Sequence, residues 1–244
     1  MKTLIIIPSR LSATRLPGKP LLKINDLSII SHVFKKAEKA NIGEVLVATE
    51  DQEIIDDVTK NGGQAVLTGN QHKTGTDRIY EAFKRLNRND IDLIINLQGD
   101  EPGIDEKDII NLNNQMIKSK HKIGTLASKI SDYKAYENEN IVKVLTKNSL
   151  EENDFPEAQN FFRKLKGDNK NIYHHLGIYC YEVESLKNFI SLKQTQNELN
   201  NKLEQLRALD NNIKINIALA KTSPIGVDTM EDYVAIKKIM EYKS

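Results

Sequence analysis

The sequence predicts an α/β fold: an open, mostly parallel sheet flanked by helices, with a smaller β-rich part after it. Three observations predict it. Short apolar, β-branched runs stand at residues 4–7, 44–49 and 92–97, as in strands buried on both faces. Helical stretches separate these runs, giving the alternation of βαβ units. After residue 120 the alternation breaks, and strand-like runs dominate.

The first strand ends at Pro8, because proline has no N–H for a ladder bond. A loop follows with Arg10, Arg15 and Lys19, and with hydroxyls on Ser9, Ser12 and Thr14. The carboxyl end of an early buried strand is where an open α/β sheet binds its ligand. Three cations beside backbone N–H groups suit a polyphosphate. Two familiar phosphate loops are excluded. The P-loop needs a glycine where Ala13 stands and Ser or Thr where Pro20 stands, and the dinucleotide fingerprint needs three glycines where only Gly18 is present. The plain alternative is a solvated surface loop.

Asp26 is read as the cap of a helix over 27–40, with Ile29, Ile30, Val33, Phe34 and Ala37 on one face. A second strand over 44–49 leads to an acidic helix start at Asp51, closed by Asn61-Gly62-Gly63. A third strand covers 65–68. Thr74 or Thr76 caps the next helix, whose N-terminal N–H groups can receive a carbonyl or phosphate; His72 is read as a surface residue. The strand over 92–97 runs into Gln98-Gly99-Asp100-Glu101-Pro102. The strand ends near Pro8 and Gln98 therefore open at the same sheet edge. An unpaired carboxylate is costly there, and a divalent cation between Asp100 and nucleotide phosphates resolves both charges.

Beyond residue 120, strands over 122–128 and 141–146 flank a short acidic helix. The polar stretch 150–170 has no clear period and reads as an insertion or lid. Residues 172–181 form a strand that places His175 and Tyr179 on one face. A helix over 198–209 takes Leu199, Leu203, Leu206 and Leu209 as its stripe, followed by a strand over 213–220. A closing helix spans 231–242, and Asp228 could be nothing more than its cap.

The 244 residues suffice for one sizeable domain, divided as 1–120, 121–225 and 226–244, the last a closing turn and helix. The net charge of +1 supplies no global field for nucleic acid or membrane, so any anion site must be local. The single Cys180 excludes an internal disulfide framework and suits core packing. There is no signal-peptide pattern, and no run approaches the ~20 apolar residues of a membrane span. A cytoplasmic enzyme is the default expectation.

Residues 8–20 resemble the signature Pro-x-Arg-x-x-(Ser/Ala)-(Ser/Thr)-Arg-(Leu/Phe)-Pro-Gly-Lys-Pro of the sugar-acid cytidylyltransferases, most closely the branch acting on 3-deoxy-manno-octulosonate (Kdo). Further stretches match in order: Thr-Gly-Thr-Asp-Arg at 74–78, Gln-Gly-Asp-Glu-Pro at 98–102, His-Leu-Gly-Ile-Tyr at 175–179, Leu-Glu-Gln-Leu-Arg at 203–207 and Val-Asp-Thr-x-Glu-Asp at 227–232. The resemblance implies a Rossmann-like sheet of the nucleotide-diphospho-sugar transferase type. It implies CTP binding by Pro8, Arg10, Arg15, Lys19, Thr74, Gly75 and Arg78. Sugar-acid binding falls to Gln98, Arg163, His175, Tyr179, Glu204 and Gln205, and Mg²⁺ to Asp100 and Asp228. Arg10, Lys19, Asp100 and Asp228 become the catalytic set, with no histidine base. CMP-Kdo and pyrophosphate are the implied products, for lipopolysaccharide synthesis, and a homodimer the implied assembly. Two departures stand out. His174 occupies a position commonly Arg or Lys, and in 150–170 only Phe161-Phe162-Arg163 echoes the family's Tyr-Phe-Ser-Arg pattern. The alternatives are another sugar acid (sialic acid or 8-amino-Kdo) or a nucleotide-binding regulator without catalysis. Retention of both aspartates and all three loop cations argues against the regulator.

Overall fold

The computed structural model describes residues 1–12, 15–132, 134–165 and 170–242. Thr14, read as one of the loop hydroxyls, lies outside the described residues, as do residues 166–169 of the polar stretch. The chain forms two compact units, Met1–Ile110 with Pro224–Ser244, and Asn111–Ser223.

The first unit opens with β1 (Thr3–Ser9), then β2 (Lys23–Ile24) and β3 (Leu27–Ser28), α1 (Ile29–Ala40), β4 (Gly43–Thr49), α2 (Gln52–Lys60), β5 (Ala65–Leu67), α3 (Gly75–Leu86) and β6 (Leu93–Asn96). β6, β1, β4 and β5 lie in that order, every pair parallel. Leu4, Ile5, Ile6 and Ile7 are all fully buried. Successive strand residues point to opposite faces, so both faces of β1 are covered, as its apolar run predicts.

One boundary differs from the sequence reading. Asp26 caps no helix: Asn25 and Asp26 take φ of 46° and 63° and turn the β2–β3 hairpin. A tight hairpin turn needs two residues in the left-handed region, which Asn and Asp tolerate. Ser28 caps α1 instead, its Oγ accepting from Ser31 N–H at 3.1 Å. Asp51 precedes α2 as expected, but its Oδ2 accepts from Leu11 N–H at 2.7 Å and so pins the N-terminal loop.

α4 (Glu106–Ser119) passes the unit boundary. The second unit continues with β7 (Ile123–Ser128), α5 (Lys134–Glu137), β8 (Lys143–Thr146), β9 (Ala158–Phe162), β10 (Ile172–Glu182), α6 (Val183–Ser191), α7 (Gln196–Asn201), α8 (Leu206–Asp210) and β11 (Asn216–Leu219). Here the sheet is mixed: β10 is antiparallel to β7 and β8, β8 is antiparallel to β9, and β11 is parallel to β7. The stretch read as an insertion or lid thus contributes β9, which buries Phe161 and turns its polar neighbours outward. With one deeply buried apolar side chain in five residues, no period was visible. The helix expected over 198–209 is two helices, because Lys202 takes φ 52° and ends α7. Leu199 is consequently exposed, whereas Leu203 and Leu206 are buried.

The chain then returns to the first unit as α9 (Met230–Glu241). Thr229 and Asp232 form its capping box, with Thr229 Oγ1 accepting from Asp232 N–H and Asp232 Oδ2 accepting from Thr229 N–H. Asp232 Oδ2 also accepts from Asp228 N–H at 3.1 Å. The reading of Asp228 as a mere cap is therefore set aside. A small core of Leu16, Ile24, Ile29, Val227 and Ile236 fastens α9 and its leading turn to the N-terminal loop. Thr229→Ala is expected to lower the unfolding free energy by about 1 kcal/mol, measured by urea denaturation.

Candidate active site

Because β1 and β6 are parallel neighbours, their carboxyl ends open together. The cleft there, about 330 Å³, is lined by Pro8, Arg10, Arg15, Lys19, Thr74, Gly75, Arg78, Gln98, Asp100 and Asp228 among others. Thus every residue matched to CTP and both aspartates share one cavity in the first unit.

Close approach builds it. A Cβ on Gly99 would lie 2.9 Å from the Pro8 carbonyl oxygen and 3.1 Å from Ile30 Cδ1, so the turn carrying Asp100 passes β1 with no room for a side chain. The turn before α9 joins the same place through Val227 N–H, which donates to the Asp100 carbonyl at 2.9 Å. Lys19 then links the two acidic segments. Its ammonium donates to Asp100 Oδ2 at 2.6 Å, to the Val227 carbonyl at 2.7 Å and to Asp228 Oδ1 at 3.2 Å. Arg15 donates to Asp228 Oδ2 at 2.9 Å. Burial works against the charge on Lys19, but Asp100 and then Asp228 outweigh it and hold the ammonium pKa above its ordinary value.

Sequence reasoning passed over Glu101. Burial, and then the charge of Asp100, push its carboxyl up to about 8, and its Oε2 has no hydrogen-bond partner among the described residues. Both causes favour the neutral acid over the carboxylate. No sequence signal marks this, because its burial arises from tertiary packing.

Other expected residues are more committed to structure. Thr74 Oγ1 accepts from Asp77 N–H and caps α3, while Gly75 opens the helix against Pro8. Arg78 is buried and donates to Thr68 Oγ1 at 2.6 Å, to the Gly69 carbonyl and to Glu50 Oε2. It braces the cleft wall that it also lines. His72 is not a surface residue. Its ring pairs with Glu81, which Arg85 and Gly69 N–H also hold. Burial opposes the Glu81 charge, but these partners outweigh it and lower the pKa.

Apart from Gln98, the residues matched to the sugar acid lie in the second unit. His175 and Tyr179 do share a face, with ring centroids 5.5 Å apart, although the ladder shifts register between Leu176 and Tyr179. The His175 ring is buried against Phe161 and bonded through Nε2 to Thr125 Oγ1 at 3.1 Å. Burial, with a smaller push from His174, drives its pKa down to about 3. The Tyr179 hydroxyl is buried without a hydrogen-bond partner among the described residues, and burial raises its pKa well above the ordinary value. Gln205 is buried at the start of α8, and Glu204 lies 3.6 Å from Arg207. Arg163, expected as a carboxylate clamp, instead donates to the carbonyls of Glu139, Asn201 and Lys202. The Asn201 and Lys202 carbonyls stand at the end of α7, so the guanidinium secures a helix end. Among the described residues, no group of three or more His, Cys, Asp or Glu converges as a metal cage, and no helix is long and apolar enough to cross a membrane.

A family model described as cytidylyltransferase matches residues 4–215. The chain belongs to the cytidylyltransferase family. It is 40% identical to the 3-deoxy-manno-octulosonate cytidylyltransferase of Thermodesulfovibrio yellowstonii, with 98% of each chain covered. With that of Bartonella tribocorum the identity is 38%, covering 98% of this chain and 99% of the relative. Among solved structures, a CMP:2-keto-3-deoxy-manno-octonic acid synthetase complexed with CTP matches at TM-score 0.90 and 33% identity, covering 100% of both chains. A UDP-glucose pyrophosphorylase complexed with UDP-glucose, at TM-score 0.74 and 14% identity over 100% of both chains, shares the fold alone. The family model stops before Asp228, while the relatives above align over 98–100% of the chain.

Gly99→Ala is expected to lower the unfolding free energy by about 1–3 kcal/mol, read by urea denaturation. His175 is expected to stay neutral from pH 5 to 8, its ring signals unmoved in an NMR titration. Because the unfolded state takes up this proton near pH 6.5 and the folded state does not, His175 makes the fold lose stability as pH falls below about 6.5.

Proposed function

We propose that the protein transfers the cytidylyl group of CTP to the anomeric hydroxyl of Kdo, giving CMP-Kdo and pyrophosphate for lipopolysaccharide assembly. The observation carrying this reading is the convergence of Asp100, Asp228 and Lys19 in a cleft lined by every residue matched to CTP. In this reading Arg10, Arg15 and Lys19 bind the triphosphate. The hydroxyl on C2 of the sugar acid attacks the α-phosphorus, the bond to the bridging oxygen breaks, and pyrophosphate leaves with its electron pair. The proton of the hydroxyl passes to water. Fixed cations at the phosphoryl oxygens stabilise charge where it grows.

The two aspartates fit a Mg²⁺ ion. Their oxygens already flank a cation, the Lys19 ammonium, at 2.6 and 3.2 Å, and hard carboxylate oxygens with room for phosphate and water are what Mg²⁺ takes. Asp100 and Asp228 would hold it; when bound it supplies neutralisation of phosphate charge and a lower pKa for the attacking hydroxyl. Neutral His175 and the Tyr179 hydroxyl offer hydrogen bonds to sugar hydroxyls without adding charge. With Arg163 engaged on backbone carbonyls, the carboxylate of the sugar acid needs another partner. Specificity between Kdo, 8-amino-Kdo and sialic acid is therefore tested directly. A homodimer, which the resemblance implies, is measured by light scattering.

Pyrophosphate release from CTP and Mg²⁺ with each sugar acid is expected with Kdo foremost. Asp100→Ala should cut turnover by about 10³-fold or more with an unchanged circular dichroism spectrum. Near-normal turnover in that variant would remove Asp100 from the reaction, and CTP binding without pyrophosphate release from any sugar acid would favour a regulator.

A further inference from the structure

Arg207 and Glu198 form a buried ion pair in the second unit, each side chain only 4% exposed. The guanidinium grips the carboxylate as a fork, with Nε 2.9 Å from Oε2 and Nη2 2.6 Å from Oε1. Such pairs are costly to desolvate and are weak devices for stability alone, so the other things Arg207 touches are informative. Glu198 is fully committed to structure. It completes the capping box of α7 with Thr195 and accepts from Gln194 as well. It serves as an anchor.

The same guanidinium also reaches Glu204, a residue matched to the sugar acid. Nη2 lies 3.6 Å from Glu204 Oε1, an ion pair rather than a hydrogen bond. Cζ sits 4.8 Å from the centroid of Phe189, a cation–π contact. Phe189 begins a row of rings: Tyr181 at 6.1 Å, Tyr179 a further 5.8 Å on and nearly parallel to it, then His175 at 5.5 Å. Glu204 also acts electrostatically on Tyr179. One buried guanidinium therefore reaches Glu204 directly and the Tyr179–His175 pair through a row of neighbouring rings.

We infer that Arg207, anchored by Glu198, is a positioning residue for the sugar acid: it holds Glu204 and the ring row as one pre-set wall that the substrate hydroxyls meet. This rests on the proposed sugar-acid activity. A lysine cannot replace it, since the role needs both a fork for Glu198 and a flat face for Phe189. Groups fixed before binding lose less order when substrate arrives, so the effect falls on sugar-acid KM. CTP affinity is unaffected, because its candidate residues lie in the first unit.

The test uses the full-length enzyme with CTP, Mg²⁺ and Kdo, reading pyrophosphate release, and calorimetric CTP affinity separately. Arg207→Lys is expected to raise the KM for Kdo about tenfold with CTP affinity unchanged. The paired variant Glu198→Gln/Arg207→Met, which removes both charges of the buried fork together, should do the same. Glu204→Gln alone should also raise that KM, but added to the paired variant it should cost less than a further threefold. An unchanged KM in Arg207→Lys, or fully multiplicative losses on adding Glu204→Gln, overturns the inference. Should the paired variant fail to fold, Arg207→Lys decides. If the wild-type enzyme turns over no sugar acid, it is the functional reading that fails. The crystal structure of Arg207→Lys then judges the positioning role by itself: displaced Glu204 and Tyr179 side chains support it, and unmoved ones overturn it.

Discussion

Two carboxylates separated by more than half the chain share one ammonium. Lys19 reaches Asp100 at 2.6 Å and Asp228 at 3.2 Å, and the arrangement of the first unit follows from keeping those three charges together. Like charges brought this close repel unless a cation intervenes. The chain meets that requirement with its own N-terminal loop, and it fastens the loop on three sides. Leu11 N–H is held by Asp51, Leu16 packs against Val227 and Ile236, and the Lys19 ammonium donates to the Val227 carbonyl.

This local concentration of charge reconciles a polyanion site with a nearly neutral chain. The net charge is +1, yet Arg10, Arg15 and Lys19 line a single cleft beside two aspartates. A site that alternates fixed cations with carboxylates can hold both a triphosphate and the metal that accompanies it. Neither would be well served by a uniformly basic patch, because repulsion from the cations would exclude the metal. Family membership and this arrangement agree, since the residues singled out by the resemblance for CTP and for the metal line one cleft.

Where apolar runs were long, the sequence was enough to draw the fold. The residues 4–7 run is β1, and the 92–97 run gave β6, with their ends opening together. The helix starts at Thr74 and Thr229 were legible or nearly so, because capping residues act through their nearest neighbours. Other features depended on distant partners and left no local mark. Asn25 and Asp26 form a hairpin turn only because β2 and β3 pair. Lys202 breaks a helix whose pattern looked continuous, and β9 hides in a polar stretch because it is recognised by β8 rather than by its own period. The same division holds in the site. Motifs named Lys19, Asp100 and Asp228, whereas the raised pKa of Glu101, the commitment of Arg163 to carbonyls and the Arg207–Glu198 anchor are consequences of burial and packing.

The most direct measurement is an anomalous difference map from crystals grown with CTP and Mn²⁺ in place of Mg²⁺. A manganese peak coordinated by both Asp100 and Asp228, with Lys19 and Arg15 moved onto phosphate oxygens, is the predicted result. A peak held by neither aspartate, with Lys19 still bridging them beside bound CTP, would contradict the assignment of this acidic pair to the metal.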